Sequence, residues 1–351
     1  MITDRPHNTA LVLICVILGG MALSLASQIF APLAFALLII ALLWPLQRRL
    51  QACMPKLLAL ALCVLVLVLG FTAFASLIAW AFGRVGRWVV NDVARLQAVY
   101  DQLTLWLDGH GIAVATLWAE HFNVARLVRV LQGISARINS TMSFWLVVLV
   151  YVVLGLLEVD DFARKIRTMA NKSAAKILVQ GCTVTAFKIR RYMLVRTQMS
   201  IITGLLVYGM ASLAGLPLAM EWGVIAFVMN YIPFIGPLVA TLFPTALAVV
   251  EFQSWQSVVL VFAALNIIQF VIGSYLEPRV SGNALSISPF LVLFAVFFWT
   301  FLWGIFGAFI GVPVTIAILT FCNEHPASQW VAHLLGGIGD TKKELAPAEK
   351  G

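Results

Sequence analysis

Charge is what this sequence has least of. Asp, Glu, Lys and Arg make up 11% of its 351 residues, against 62% hydrophobic residues and a mean hydropathy of +0.99. Soluble domains carry about a quarter of their residues as charges, so this composition excludes a soluble globular chain and leaves a polytopic membrane protein. The five cysteines, Cys15, Cys53, Cys63, Cys182 and Cys322, show no CxxC spacing, and four lie in or beside apolar runs, where cysteine acts as a small hydrophobe. No disulfide framework, metal site or cofactor is expected. An intramembrane enzyme would need a nucleophile with its base, or a metal cluster. His110, Glu120 and His121 fall on an aqueous segment without ligand spacing, so enzyme chemistry is not expected either.

Long apolar runs are what the chain has in abundance. They cover Ala10–Phe30, Ala31–Leu46, Leu57–Phe82, Phe144–Leu157, Met199–Leu216, Trp222–Val250, Val258–Tyr275 and Phe290–Phe321. The first reads either as a signal peptide, with Leu25-Ala-Ser27 as its cleavage site, or as an uncleaved span. Its apolar length and the mixed charges Asp4 and Arg5 favour the span. The first two runs join at Pro32 with almost no polar loop, which predicts a helical hairpin there. The fold class expected is all-α: a polytopic helical bundle of about eight hydrophobic segments, two of them broken or re-entrant, with amphipathic interfacial helices.

Positive charge sets the orientation, because basic loops stay cytoplasmic. Arg5, Arg48, Arg49, Lys56, the nine basic residues from Arg164 to Arg196, and Lys342, Lys343 and Lys350 fall on one side if the first five runs each cross; that is 16 of the 23 lysines and arginines. Six from Arg84 to Arg137 fall on the other, and Arg279 is undecided. Both termini are therefore expected in the cytoplasm. The net charge of +8 reads as topology and contact with anionic lipid headgroups, with Lys188, Arg190 and Arg191 as the densest cluster. Without a basic soluble module, nucleic acid is not an expected partner.

The aqueous segments are amphipathic. Val85, Trp88, Val89, Val93, Leu96, Val99, Tyr100, Leu103 and Leu107 recur at helical spacing and stop at Gly109-His-Gly111; a shorter stripe, Leu127, Leu131, Ile134 and Ile138, follows Asn123. Such stripes grip lipid, pack on the other helices or contact a neighbouring subunit. Phe162, Ile166, Ile177, Val184, Phe187 and Tyr192 outline a third face, expected to lie along the cytoplasmic interface before the chain re-enters at Met199.

Between Thr197 and Cys322 the only charged residues are Glu221, Glu251, Glu277 and Arg279. Ionisable groups at membrane depth are costly and point to function, although all four sit near the ends of runs. Glu277 and Arg279, flanking Pro278, are the candidates for coupling or gating. Asn230, Asn266 and Gln269 are candidate solute contacts, with Asn266 and Gln269 three apart on one helix; hydrogen bonding between helices is the plainer reading.

Two runs are too long. Pro217–Val250 and Pro289–Thr320 have 34 and 32 residues, about 50 Å as straight helices against a hydrocarbon core of about 30 Å. Each is interrupted, by Pro233-Phe-Ile-Gly236-Pro237 and by Gly304-Ile-Phe-Gly307. Each then meets a proline, Pro244 or Pro313, in similar surroundings, PTALAVV and PVTIAIL. This weak repeat of broken segments is the pattern that points to a transporter's binding site, because freed backbone groups must be buried in protein or line a wet cavity; a pair of kinked helices packed for shape is the alternative. Re-entrant hairpins would place Glu277-Pro278-Arg279 in the cytoplasm; single tilted crossings would place it outside.

The stretches NYIPFIGP from Asn230, YLEPRVSG from Tyr275, LSISPFLVLFAVFFW ending at Trp299, and GIFGAFIGVPV from Gly304 resemble the signature of the autoinducer-2 exporter family of bacterial permeases. The resemblance implies a multi-pass inner-membrane transporter and a homo-oligomer, with a pentamer among the candidates. Members are assigned export of the quorum-sensing furanone autoinducer-2 or sodium/proton antiport. The absence of any aspartate inside the runs of the C-terminal half weighs against antiport.

The expected organisation is an N-terminal scaffold (1–83), an amphipathic non-cytoplasmic segment (84–140), spans with a basic cytoplasmic loop (141–216), a transport core (217–321) and a cytoplasmic tail (322–351). The expected function is export of a small polar solute. Asn230, Pro233, Gly236, Pro237, Asn266, Gln269, Gly304, Gly307 and Pro313 would lie on the pathway, with Glu277 coupling a proton. A sodium or lithium/proton antiporter and a non-transporting scaffold are the alternatives.

Overall fold

The computed structural model describes residues 14, 18–109, 138–252, 254–281 and 287–336. Among these, regular structure is helical: α1 (Ser27–Gln51), α2 (Lys56–Asn91), α3 (Val93–Gly109), α4 (Ile138–Arg167), α5 (Lys172–Leu213), α6 (Ala219–Met229), α7 (Ile235–Glu251), α8 (Trp255–Phe270), a π-helical turn (Val271–Leu276), α9 (Glu277–Ser281), α10 (Pro289–Glu324) and α11 (Gln329–Leu335). Among the described residues, six helices are long and apolar enough to cross a membrane, and α6 and α7 are shorter apolar helices. Their outward faces stay apolar, as at Leu65 and Leu69 of α2 and Val259 and Leu260 of α8. In water such surface would be unfavourable by about 25 cal/mol per Å²; in lipid it is neutral. The chain is an all-α polytopic membrane bundle.

Contacts divide the chain into two compact units: Met1–Val66, Ser143–Leu194 and Ser281–Gly351 form one, and Leu67–Met142 and Val195–Val280 form the other. The stretch 217–321, expected from sequence as one core, is shared between them. In the first unit, Phe306 stacks on Phe144 with ring centroids 3.7 Å apart, and Phe35 meets Phe144 and Trp145 edge-on. Buried Gln47 donates from Nε2 to the Leu156 carbonyl at 3.3 Å. In the second unit the core joins Ala81, Val207, Ala211, Trp222, Ile225, Ala226, Ala240, Leu247, Ala248, Val261 and Leu265. The many alanines follow from the solvent: lipid tails give no hydrophobic drive, so helices associate through close backbone approach across small side chains.

Both overlong runs fold back on themselves. In the second unit, α6 and α7 have 11 and 17 residues, about 16 and 25 Å, so neither arm spans a bilayer. They meet at a tight turn where a Cβ on Gly236 would collide with the Met229 carbonyl and come within 2.9 Å of the Asn230 Cα. In the first unit, α10 reverses at Gly304 (φ 62°, ψ −144°), a conformation essentially reserved for glycine. Trp299 Nε1 then donates to Thr315 Oγ1 at 3.1 Å. Sixteen residues of straight helix would hold those groups about 24 Å apart. Gly307 sits against the Trp299 carbonyl, where a Cβ has no room. The weak repeat in sequence is thus a repeated local solution, a helical hairpin closed by glycine against backbone.

Three sequence-based boundaries move. The expected joint at Pro32 lies instead at Ala26 (φ −94°, ψ 26°), and α1 runs through Pro32. Pro32 lies in the second turn of α1 and is accommodated there, while the break falls six residues before it, at Ala26. The carbonyl of Leu23, just before this joint, accepts the Trp303 indole N–H at 3.2 Å. The amphipathic stretch from Val85 begins as the end of α2 and breaks at Asp92 before α3, which ends at Gly109 as expected. The interfacial helix expected before Met199 is continuous with the next span: α5 runs unbroken for 42 residues, because no proline interrupts its backbone ladder. The shorter stripe after Asn123 lies outside the described residues, except for Ile138 at the start of α4.

Candidate functional site

The densest polar constellation of the second unit is built on α5. Arg196, Thr197, Ser200 and Thr203 recur at helical spacing inside a run of Met, Leu and Ile, so one face of the helix carries them all. Arg196, Ser200 and Thr203 are buried. Thr203 satisfies itself by donating to the Met199 carbonyl at 2.8 Å. The others turn to neighbouring elements.

The tip of the α6–α7 hairpin meets this face. Asn230, buried at the end of α6, donates from Nδ2 to Ser200 Oγ at 3.2 Å. The Tyr231 hydroxyl donates to Thr197 Oγ1 at 3.0 Å, and its ring is held edge-on by Phe74 and Phe227. Pro233-Phe234-Ile235 then forms a γ-turn: the Ile235 N–H reaches the Pro233 carbonyl at 2.7 Å, and Phe234 takes φ 63°, ψ −47°. This positive-φ γ-turn is rare and strained. Pro233 and Gly236 are buried and Pro237 is half-buried in the first turn of α7, where its missing N–H has no helical partner to lose.

Glu277 approaches from the other side of the same face. Its Oε2 lies 3.2 Å from Arg196 Nη1, with the two side chains 25% and 10% exposed. Pro278 follows in α9, and exposed Arg279 lies over the Tyr275 ring, 4.0 Å from its centroid. The other two acids of this half are also paired. Glu221, at the start of α6, meets Arg84 Nε at 2.7 Å, and Glu251, at the end of α7, meets Arg95 Nη1 at 2.8 Å. Both feet of the hairpin are therefore pinned by arginines.

The structure brings Asn230, Pro233, Gly236, Pro237 and Glu277 to this region. It parts Asn266 from Gln269. Asn266 is exposed and donates to the Phe262 carbonyl of its own helix at 2.8 Å, whereas Gln269 is half-buried with its Nε2 enclosed and without a partner. Gly304, Gly307 and Pro313 belong to the hairpin of the first unit, where Gly307 and Pro313 are buried. Sequence reasoning misses Arg196, Thr197, Ser200 and Tyr231. In sequence Arg196 counts with the cytoplasmic basic residues, yet its spacing to Ser200 and Thr203 on an apolar helix is a legible sign of a polar stripe.

Residues 11–327 match the model of the AI-2E family transporter. The chain is 27% identical to the AI-2 transport protein TqsA of Escherichia coli K12, over 89% of this chain and 91% of that one. It is 25% identical to the putative transport protein YhhT of the same organism, over 96% of this chain and 97% of the relative. A putative transport protein of Borreliella burgdorferi is 32% identical over 54% of this chain and 53% of its own.

Proposed function

This chain belongs to the AI-2E transporter family and is a multi-pass membrane transporter, and from that premise we propose that it exports a small, polar, neutral solute of the class autoinducer-2 represents. One observation carries this reading. Thr197 and Ser200 on α5 and Asn230 and Tyr231 at the strained hairpin tip form a row of hydroxyl and amide groups where the two elements meet, inside an otherwise apolar bundle. Such groups match a furanone bearing hydroxyls, and their mutual bonds are the kind a solute can exchange for its own. The relative named for AI-2 transport supports the same solute class.

The antiporter reading is not favoured. Each of Glu221, Glu251 and Glu277 is held by an arginine, whereas cation exchange needs a carboxylate open to the ion. Coupling of export to protons through Glu277 would require its carboxylate first to leave Arg196. We place the transporter in the bacterial inner membrane as a homo-oligomer, a pentamer in number, with the basic first half of α5 against anionic lipid.

In proteoliposomes the intact protein is expected to move autoinducer-2 and to leave imposed sodium or lithium gradients unchanged. Asn230→Ala, which strips the amide from the tip, should lower that flux at least tenfold while the protein stays inserted. Sodium-driven proton movement without autoinducer-2 flux would reverse the assignment.

Orientation has its own test. With the α6–α7 hairpin folded back, the chain crosses outward along α5 and returns along α8, so an even number of crossings separates the basic stretch 164–196 from Ser281. On this reading Ser281 is cytoplasmic, as are both termini. A lone cysteine at Ser281, in a cysteine-free background, should be protected from an impermeant thiol reagent added outside intact cells; labelling from outside would place the loop in the periplasm.

A further inference from the structure

The helix that delivers Glu277 to Arg196 is not a regular α-helix. Its last turn before Glu277, Val271–Leu276, is π-helical, and the Glu277 N–H bonds to the Ile272 carbonyl, five residues back. A π turn holds one residue more than the α turn it replaces, and such turns are rare and cluster at functional sites. Returning it to α-geometry would rotate everything beyond it by about one residue position, roughly 100°. The side chain then brought toward Arg196 is Leu276, and the carboxylate leaves. Two features make both registers accessible. Pro278 has no N–H, so no backbone bond on its nitrogen holds the turn in either form. At Gly273 nothing lies within 4 Å of where a Cβ would be, so the turn has room to tighten.

The rest of the molecule directs this motion to the hairpin tip. Arg84 and Arg95 pin both feet of the α6–α7 hairpin, and the apolar core of the second unit holds its arms. Arg196 is on the α5 face that carries Thr197 and Ser200, one helical turn from the Ser200–Asn230 bond. Its ion pair with Glu277, Nη1 to Oε2 at 3.2 Å, is a charged contact beside the tip.

We propose that Arg196 and Glu277 form the gate of the solute pathway at the hairpin tip, closed by their ion pair and opened by a one-residue π-to-α register shift in Val271–Leu276. The inference rests on the transporter reading. With the gate open, the guanidinium lies beside the hydroxyl and amide row and offers its N–H groups to an oxygen of the passing solute. Arg196 thus selects for solutes with acceptor oxygens, and Glu277 holds the solute's place between turnovers.

The test uses the full-length protein in liposomes, with sorbitol permeability followed by light scattering so that the readout does not depend on the natural solute. Arg196→Cys/Glu277→Cys, in a cysteine-free background, should leak sorbitol at least tenfold faster than the cysteine-free parent when reduced. Bridging the two thiols with a bis-maleimide long enough to replace the lost side chains should seal the vesicles again. Equal permeability in the two states, or no leak in either, overturns the gate. Deleting Gly273 removes the extra residue and keeps Glu277 against Arg196 in a plain α-helix. This variant should stay tight to sorbitol and carry autoinducer-2 at least tenfold more slowly than the intact protein; full flux would overturn the register shift. An intact protein that carries no autoinducer-2 would refute the proposed solute, and the sorbitol result would still decide the gate.

Discussion

Gly236→Ala and Gly307→Ala are each expected to prevent the chain from reaching its native bundle, seen as loss of monodisperse protein after detergent extraction. At both positions the added Cβ would run into a main-chain carbonyl of the facing arm, Met229 or Trp299. A flexible side chain in the way could rotate aside, but a carbonyl can move only with its helix. Overpacking a well-packed interior typically costs about 1 to 3 kcal/mol when side chains can adjust; against fixed backbone the cost should lie at or above the top of that range. Gly209→Ala is the matched control. It lies in α5 with nothing within 4 Å of the new atom, and alanine in place of glycine favours a helix by up to about 1 kcal/mol. Alanine tolerated at Gly236 or Gly307 would mean that the hairpin arms are not closed in the way described.

Arg84→Ala should be the most destabilising removal of a charge, and Arg95→Ala should be mild. Both arginines are half-exposed, but their partners differ: Glu221 is 5% exposed and Glu251 is 28% exposed. Without Arg84, an unpaired carboxyl group remains enclosed at the start of α6, and breaking a buried pair by removing one member costs about 3 to 5 kcal/mol. Water around Arg84 lowers this toward the smaller figure. Losing Arg95 leaves an acid that water can reach, a change worth about 1 kcal/mol or less. The double variant Arg84→Ala/Glu221→Gln should recover most of the loss, since the unpaired acid is gone. Thermal unfolding in detergent reads all of these, and equal shifts for Arg84→Ala and Arg95→Ala would show that burial of Glu221 does not set the cost.

The two hairpins are legible in the sequence because length is a hard constraint in a bilayer. Runs of 34 and 32 apolar residues cannot stand upright in about 30 Å of hydrocarbon, and their prolines and glycines mark where they turn. The γ-turn at Phe234 is not legible. A phenylalanine at positive φ has no sequence signature, since tertiary packing imposes the conformation against the residue's own preference. The joint at Ala26 is not legible because Leu25-Ala26-Ser27 holds no proline or glycine to mark it, whereas Pro32 stands out in sequence and yet is accommodated inside α1.

The candidate site is legible only in part, for a similar reason. Asn230 and Glu277 stand out as rare polar groups in apolar runs, and the structure brings both to the α5 face. Their partners, Ser200 and Arg196, come 30 and 81 residues earlier in the chain, and Arg196 hides among basic residues that explain themselves by topology alone. Asn266 and Gln269 share a helix, but three residues of spacing do not tell which bonds its own backbone and which is enclosed.

By itself the sequence determined that this chain lives in a membrane, crosses it many times as helices and breaks two of its longest apolar runs. These follow from transfer free energy and from backbone hydrogen bonds that hydrocarbon cannot satisfy, terms that depend on composition and local order. Only the tertiary structure decided which polar groups face one another: Ser200 with Asn230, Thr197 with Tyr231, and Arg196 with Glu277 across a π turn. Such pairings depend on helix rotation and depth, which packing against distant elements sets, so no local stretch of sequence contains them.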